Sequence, residues 1–216
     1  MRKLLKITAI GFLALLVLNA LSQQSGAAPK TRPVTRVVTR VVYRTRTLVK
    51  MVSAPAASAP NALSVALGSG GSFTNHTLTF RLQLGSDFTM PSNDYLVLAQ
   101  TVPLTSSKVG KVDVILPADN RIRLDYFDSA GHQQVLGGGF VVPRGSWHTV
   151  ELRETVGAGS GSLALLVDGT SVAGGSNLYL GTQGLTGFAV GEQFSPPGSG
   201  TAGHLYIDNV TTTSMT

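Results

Sequence analysis

Residues Leu163–Val172 read LALLVDGTSV: an apolar run, the pair Asp168-Gly169, then a second β-rich run. Two residues of Asp-Gly type between such runs predict a β-hairpin, because glycine adopts positive φ freely and aspartate tolerates it better than most. An Asp-Gly pair can also serve as a metal or sugar contact, but the turn alone accounts for this one.

Outward from the hairpin, period-two alternation governs the chain beyond Asn61. His76–Leu84 (HTLTFRLQL) places Leu78, Phe80, Leu82 and Leu84 on one face. Val109–Leu116 does the same with Val112, Val114 and Leu116, and Arg121–Phe127 (RIRLDYF) with Ile122, Leu124 and Tyr126. Tyr95–Thr101, Gln134–Val142, Trp147–Arg153, Ser162–Val167, Thr170–Val172, Gly187–Gly191 and Leu205–Thr212 complete about ten candidate strands. Gly68–Ser72, Gly137–Gly139, Gly157–Leu163 and Pro196–Gly203 read as loops between them. No window of a dozen residues has helical periodicity with caps. Short alternating strands at this spacing predict an all-β sandwich or barrel, antiparallel, with one wet face per sheet.

Four stretches then stand in a telling order. DNRIRLDYFDSAG (Asp119–Gly131) precedes SWHTVELRE (Ser146–Glu154), then SLALLVDGTSV (Ser162–Val172), and HLYIDNVTTTS (His204–Ser214) closes the chain. This succession resembles the concanavalin A-like, laminin-G-like jelly-roll superfamily of secreted bacterial proteins. The resemblance covers about Leu63–Thr213 and implies an antiparallel two-sheet jelly roll. Its motifs are structural, so it speaks for fold rather than function. It also implies calcium as the cofactor most often found on such folds, with Asp208 as the one position such a site would use. Calcium needs six to eight oxygens, and Leu63–Thr74 holds no acid to complement Asp208, so no cofactor is expected.

Catalytic signatures are missing. Jelly-roll glycoside hydrolases carry two carboxylates on alternate positions of one strand, where they converge on the scissile bond. The close acidic pair Glu151 and Glu154 is three apart and points to opposite faces. Gly157–Leu163 lacks the spacing and the following helix of a nucleophile elbow. Fragments around Tyr126–Gly131 and Glu151–Arg153 echo alginate-lyase motifs, but in reversed order and without a Gln-x-His element. A lyase using Tyr126 or His132 beside Arg123 is therefore the lesser alternative. The zero cysteines exclude a disulfide scaffold, a thiol nucleophile and a thiolate zinc site.

Carbohydrate recognition needs aromatic platforms flanked by amides and carboxylates. The candidates are Tyr95, Asp125, Tyr126, Trp147, Tyr179 and Tyr206, with Asn93, Asp94 and Gln133 beside them. Aromatics are only 6% of the chain, with one Trp, so platforms are scarce. Trp147 reads first as a strand-start residue packed on the core, and Tyr126 shares its face with Ile122 and Leu124.

The N-terminus has a different composition. Three basic residues in Met1–Lys6, the apolar run Ile7–Leu18, then Ser25 and Ala27 predict a secretory signal peptide over residues 1–27. Arg32, Arg36, Arg40 and Arg44 recur every fourth residue, with Arg46 beyond them, and SAPAASAP (Ser53–Pro60) is a stiff linker. Residues 28–60 thus form an extended basic arm, and 61–216 the jelly-roll domain. The arm reads as a solvated spacer that docks nowhere, or as a row of guanidinium groups gripping anionic envelope material.

Of the 17 Lys and Arg residues, ten lie in residues 1–60 with no acid, leaving seven against all 11 acids in the body. The body is mildly acidic, so nucleic acid is not an expected partner. The expected protein is a secreted, non-catalytic module that binds carbohydrate or another extracellular polymer, with a structural or adhesion domain as alternative. Membrane contact is expected only through an uncleaved leader.

Overall fold

The computed structural model describes residues 40–41, 50–51, 62–66, 74–103, 108–194 and 200–215. The leader, the Ala/Pro linker, the boundary at Asn61, Gly68–Ser72, and Arg32, Arg36, Arg44 and Arg46 lie outside the described residues.

Every described element is a strand: β1 (Arg40–Val41), β2 (Lys50–Met51), β3 (Ala62–Ala66), β4 (Asn75–Leu84), β5 (Tyr95–Pro103), β6 (Val112–Pro117), β7 (Arg121–Phe127), β8 (Gln133–Val141), β9 (Trp147–Thr155), β10 (Ala158–Val167), β11 (Thr170–Tyr179), β12 (Leu185–Phe194) and β13 (Gly203–Met215). They form two antiparallel sheets of a jelly-roll sandwich. The seven-stranded sheet runs β1-β13-β4-β9-β10-β11 with β2 also on β13, and the six-stranded sheet runs β3-β12-β5-β6-β7-β8. Neighbours distant in sequence, such as β13 beside β4 and β4 beside β9, arise because the chain changes sheet four times between β3 and β12, and once more into β13.

Alternation decides which side of each strand stays dry. On β4, Leu78, Phe80, Leu82 and Leu84 are fully buried, while Thr77, Thr79, Arg81 and Gln83 between them are half-buried on the outer face. Val112, Val114, Leu116, Ile122 and Leu124 of the second sheet meet them in one core cluster. Each such side chain stabilises the fold by about 1.5–3 kcal/mol relative to leaving it in water.

The hairpin forms where its residues predict it. Asp168 and Gly169 both have positive φ, 51° and 80°. The Asp168 carboxylate accepts from Thr149 N at 2.8 Å and contacts His148 Nδ1 at 2.7 Å. That bond to His148, then the one to Thr149, hold its carboxyl below the usual range. Its role is to tie the turn to β9.

Two loop expectations fail. Gly157–Leu163 is mostly strand, because β10 begins at Ala158 and accommodates its Gly/Ser residues through two register shifts against β11. Gly137–Gly139 lies inside β8, where a register shift against β7 absorbs the extra residue. Of Pro196–Gly203 only residues 200–203 are described: Gly200 and Thr201 lie outside any strand, Ala202 bridges to Thr89 and Gly203 opens β13. Of the arm's described residues, Arg40–Val41 pairs with Thr212–Thr213, and Lys50–Met51 with Gly203–His204. Unpaired strand edges attract any extended chain, and the arm's Val- and Thr-rich sequence suits that role.

Candidate functional site

The outer face of the seven-stranded sheet gathers chemistry from three strands. Register sets Tyr206 (β13), Gln83 (β4) and Trp147 (β9) in one cross-strand row, with Asp208, Arg81 and Thr149 in the next. Residues directly opposite across antiparallel strands have their Cβ atoms about 4.5–5.5 Å apart, so such rows act as a unit. The Trp147 and Tyr206 rings lie 6.4 Å apart. The Arg81 guanidinium stands 4.8 Å from the centre of the Trp147 ring. Trp147 is 37% exposed, which corrects the expectation that it packs on the core. As the first residue of β9 it falls on the wet side of the alternation that buries Val150 and Leu152.

Beside this row, His204 stacks on Tyr206 with ring centres 5.9 Å apart and planes within 6°. Its Nδ1 lies 2.5 Å from Asp87 Oδ2, and its backbone N–H donates to Asp87 Oδ1 at 3.2 Å. The bond from His204 holds the Asp87 carboxyl below the usual range. The Gly85–Asp87 turn reaches β13 because Gly203 adopts a φ of 94°, and a Cβ there would sit 2.3 Å from the Asp87 carbonyl oxygen. Gly85 N–H then donates to His204 O at 2.8 Å, and Gln83 Nε2 to Gly145 O at 2.6 Å. Together Gln83, Gly85, Asp87, Gly145, His204 and Tyr206 line an open cleft of about 540 Å³.

Of the residues singled out from sequence, Trp147 and Tyr206 come together and Asp208 lies one row away, its Oδ1 accepting from Asn209 N–H. The others do not join them. Tyr95 starts β5 on the other sheet, and Tyr179 ends the edge strand β11. Asp94 ties the Gly200–Thr201 segment, accepting from Gly200 N–H at 3.1 Å. Tyr126 packs against the core, so it and Arg123 lie on opposite faces of β7, which dismantles the expected Tyr126–Arg123 pairing. Asp125 is fully buried, which removes it as a direct ligand contact. Among the described residues no three His, Asp or Glu side chains are grouped to hold a metal ion.

Asp125 belongs to a second polar cluster. It stands opposite Asp113 across β6 and β7, a carboxylate pair that single-strand spacing could not reveal. Gln133 Nε2 donates to Asp125 at 2.5 Å and Arg123 lies 3.3 Å from it, while Gln100 and Lys111 serve Asp113 at 3.0 and 3.3 Å. Burial pushes both carboxyls up, against the pull of these partners. Amide and cation partners already engage each carboxylate, as in a structural network.

Sequence reasoning passed over Arg81, Gln83, Asp87 and His204. Arg81 and Gln83 were legible as the wet positions of HTLTFRLQL, whereas only tertiary contact brings Asp87 to His204.

No family model matches this sequence, and no curated protein matches it. Solved structures do match. Endo-β-1,4-glucuronan lyase from the fungus Trichoderma reesei superposes with a TM-score of 0.56 at 13% identity, over 83% of this chain and 87% of that one. Alginate lyase vAL-1 from Chlorella virus superposes with a TM-score of 0.55 at 10% identity, over 71% of this chain and 76% of that one. At these identities the likeness is one of fold.

Proposed function

We propose that this protein is an exported, non-catalytic module that binds an acidic polysaccharide across the outer face of β13, β4 and β9. The observation carrying the reading is the row Tyr206–Gln83–Trp147, flanked by Arg81 and His204. A partly exposed indole and a phenol give sugar rings an apolar surface, Gln83 is a planar hydrogen-bonding group, and Arg81 pairs with a uronate carboxylate. The names of the two structural neighbours, lyases for glucuronan and for alginate, agree with an anionic sugar chain. The apolar leader at residues 7–18 supports export.

Calorimetric titration of the full chain with alginate oligosaccharides tests this. Saturable binding is expected, weakened about tenfold or more by Trp147→Ala or Arg81→Gln with the unfolding midpoint unchanged. A folded protein that binds neither alginate nor a panel of other acidic and neutral polysaccharides would refute it.

One observation favours a second reading as a lyase. His204 Nδ1 engages Asp87, leaving Nε2 as a base on a ring stacked against Tyr206. Elimination would take the proton from C5 of a uronate, break the C4–O bond, form the C4=C5 double bond and protonate the departing oxygen. Growth of absorbance from that double bond during incubation with alginate would establish it.

A further inference from the structure

We infer that the polymer read by this face carries its carboxylates intermittently, each acidic sugar separated from the next by neutral ones, and that Asp208 sets this preference. The inference rests on the polymer-binding reading and specifies the substrate class of that same site.

Arg81 is the cation the face holds ready for a ligand. Its guanidinium stands 4.8 Å from the centre of the Trp147 ring, and among the described residues it makes no ion pair. Register places Asp208 directly opposite it, where Cβ atoms lie about 4.5–5.5 Å apart and an ion pair is within reach. That pair is not made. Asp208 Oδ1 accepts instead from Asn209 N–H at 2.8 Å, and among the described residues no cation lies within ion-pair distance of Asp208.

The other carboxylates near Arg81 are compensated. Glu151, its diagonal neighbour across β4 and β9, is ion-paired with Arg153, and Asp87 at the cleft end is held by His204. Of these three acids only Asp208 keeps a charge without a cation. The row Asp208–Arg81–Thr149 therefore sets one ready cation beside one uncompensated anion.

A uronate carboxylate on Arg81 uses that cation. In an unbroken uronan the neighbouring sugar brings a second carboxylate within a Debye length of Asp208, roughly 8–10 Å at physiological salt, and like charges meet. A neutral neighbour meets Asp208 as a strong acceptor for a sugar hydroxyl, with Gln83 and Thr149 as further partners. Asp208 thus rejects by repulsion what Arg81 by itself would accept.

The test titrates the full chain with glucuronan oligosaccharides of one length in three forms: fully charged, with about half of the carboxyls reduced to neutral alcohols, and fully reduced. Affinity is expected to peak at the half-reduced form, about three- to tenfold above the fully charged one at low salt, and the gap should narrow at moderate salt. The fully reduced form gives Arg81 no carboxylate and should bind weakest. Asp208→Asn keeps an acceptor for the Asn209 N–H but removes the charge. It should raise affinity for the fully charged form about three- to tenfold and leave the half-reduced form within about twofold. Asp119→Asn, which removes an equal charge in the turn before β7, should leave the order of the three forms unchanged. Unfolding midpoints of both variants exclude a folding defect as the cause. Affinity that climbs steadily with ligand charge in the unmodified chain, or an Asp208→Asn chain with unaltered preference, would overturn the inference and leave the polymer-binding reading intact. So would equal loss of all forms in Asp208→Asn, by making Asp208 a ligand contact rather than a source of repulsion. An unmodified chain that binds none of the three forms refutes the inference, and one that binds no polysaccharide at all defeats the polymer-binding reading with it.

Discussion

Asp168 and Gly169 show how much structure two residues can specify. Gly169 sits at φ 80° with nothing within 4 Å of where a Cβ would be, so Gly169→Ala meets no clash and costs only the left-handed backbone penalty, about 1–2 kcal/mol. Asp168→Ala removes the acceptor for Thr149 N–H and His148 and is expected to cost about 1–3 kcal/mol. Chemical denaturation of the two variants checks both figures; a neutral Asp168→Ala would mean that the turn stands without its side-chain bonds. The hairpin was legible because its φ requirements are local. The His204–Asp87 contact was not, because 117 residues separate its partners and nothing in either neighbourhood calls for the other.

At the scale of the element, alternation is the organising fact, and β4 carries it without interruption through ten residues. Phe80, fully buried in the middle of that strand, meets side chains of both sheets, so Phe80→Ala is expected to destabilise the fold by about 3–5 kcal/mol. Thr79→Ala, on the wet face beside it, should change stability by well under 1 kcal/mol. Equal effects in denaturation would mean that the two faces are assigned wrongly. The core faces of β4, β6 and β7 were readable for this reason. Strand ends and bulges were not: the Gly/Ser residues of β10 and the glycines of β8 look like loops, and only their ladders to neighbouring strands hold them extended.

For the molecule as a whole, the dry middle of the sandwich sets how stability responds to pH. Glu154 faces that interior opposite His76, and among the described residues neither of its carboxylate oxygens has a hydrogen-bond partner. Burial pushes its carboxyl up to about 8. The unfolded chain releases this proton in the ordinary glutamate range while the folded protein retains it. Stability is therefore greatest in acid as far as Glu154 is concerned, and falls as pH rises toward about 8. The slope is at most about 1.4 kcal/mol per pH unit, and it levels off above that window. Glu154→Gln should abolish that part of the pH dependence in denaturation series, and an unchanged profile would show that Glu154 ionises normally in the folded state.

The one-dimensional order of residues determined that the body is built of short antiparallel strands, which sides of β4, β6 and β7 are dry, and where the Asp-Gly hairpin turns. Those properties follow from side-chain period and backbone φ, which each segment carries within itself. Only the three-dimensional arrangement decided that Trp147 faces outward, that Asp125 is buried opposite Asp113, and that Tyr206, Gln83 and Trp147 form one row. It also decided that Arg40–Val41 and Lys50–Met51 pair with β13. Register and packing between strands set all of these, because pairing and sheet packing are chosen by the free energy of the whole core rather than by any one segment.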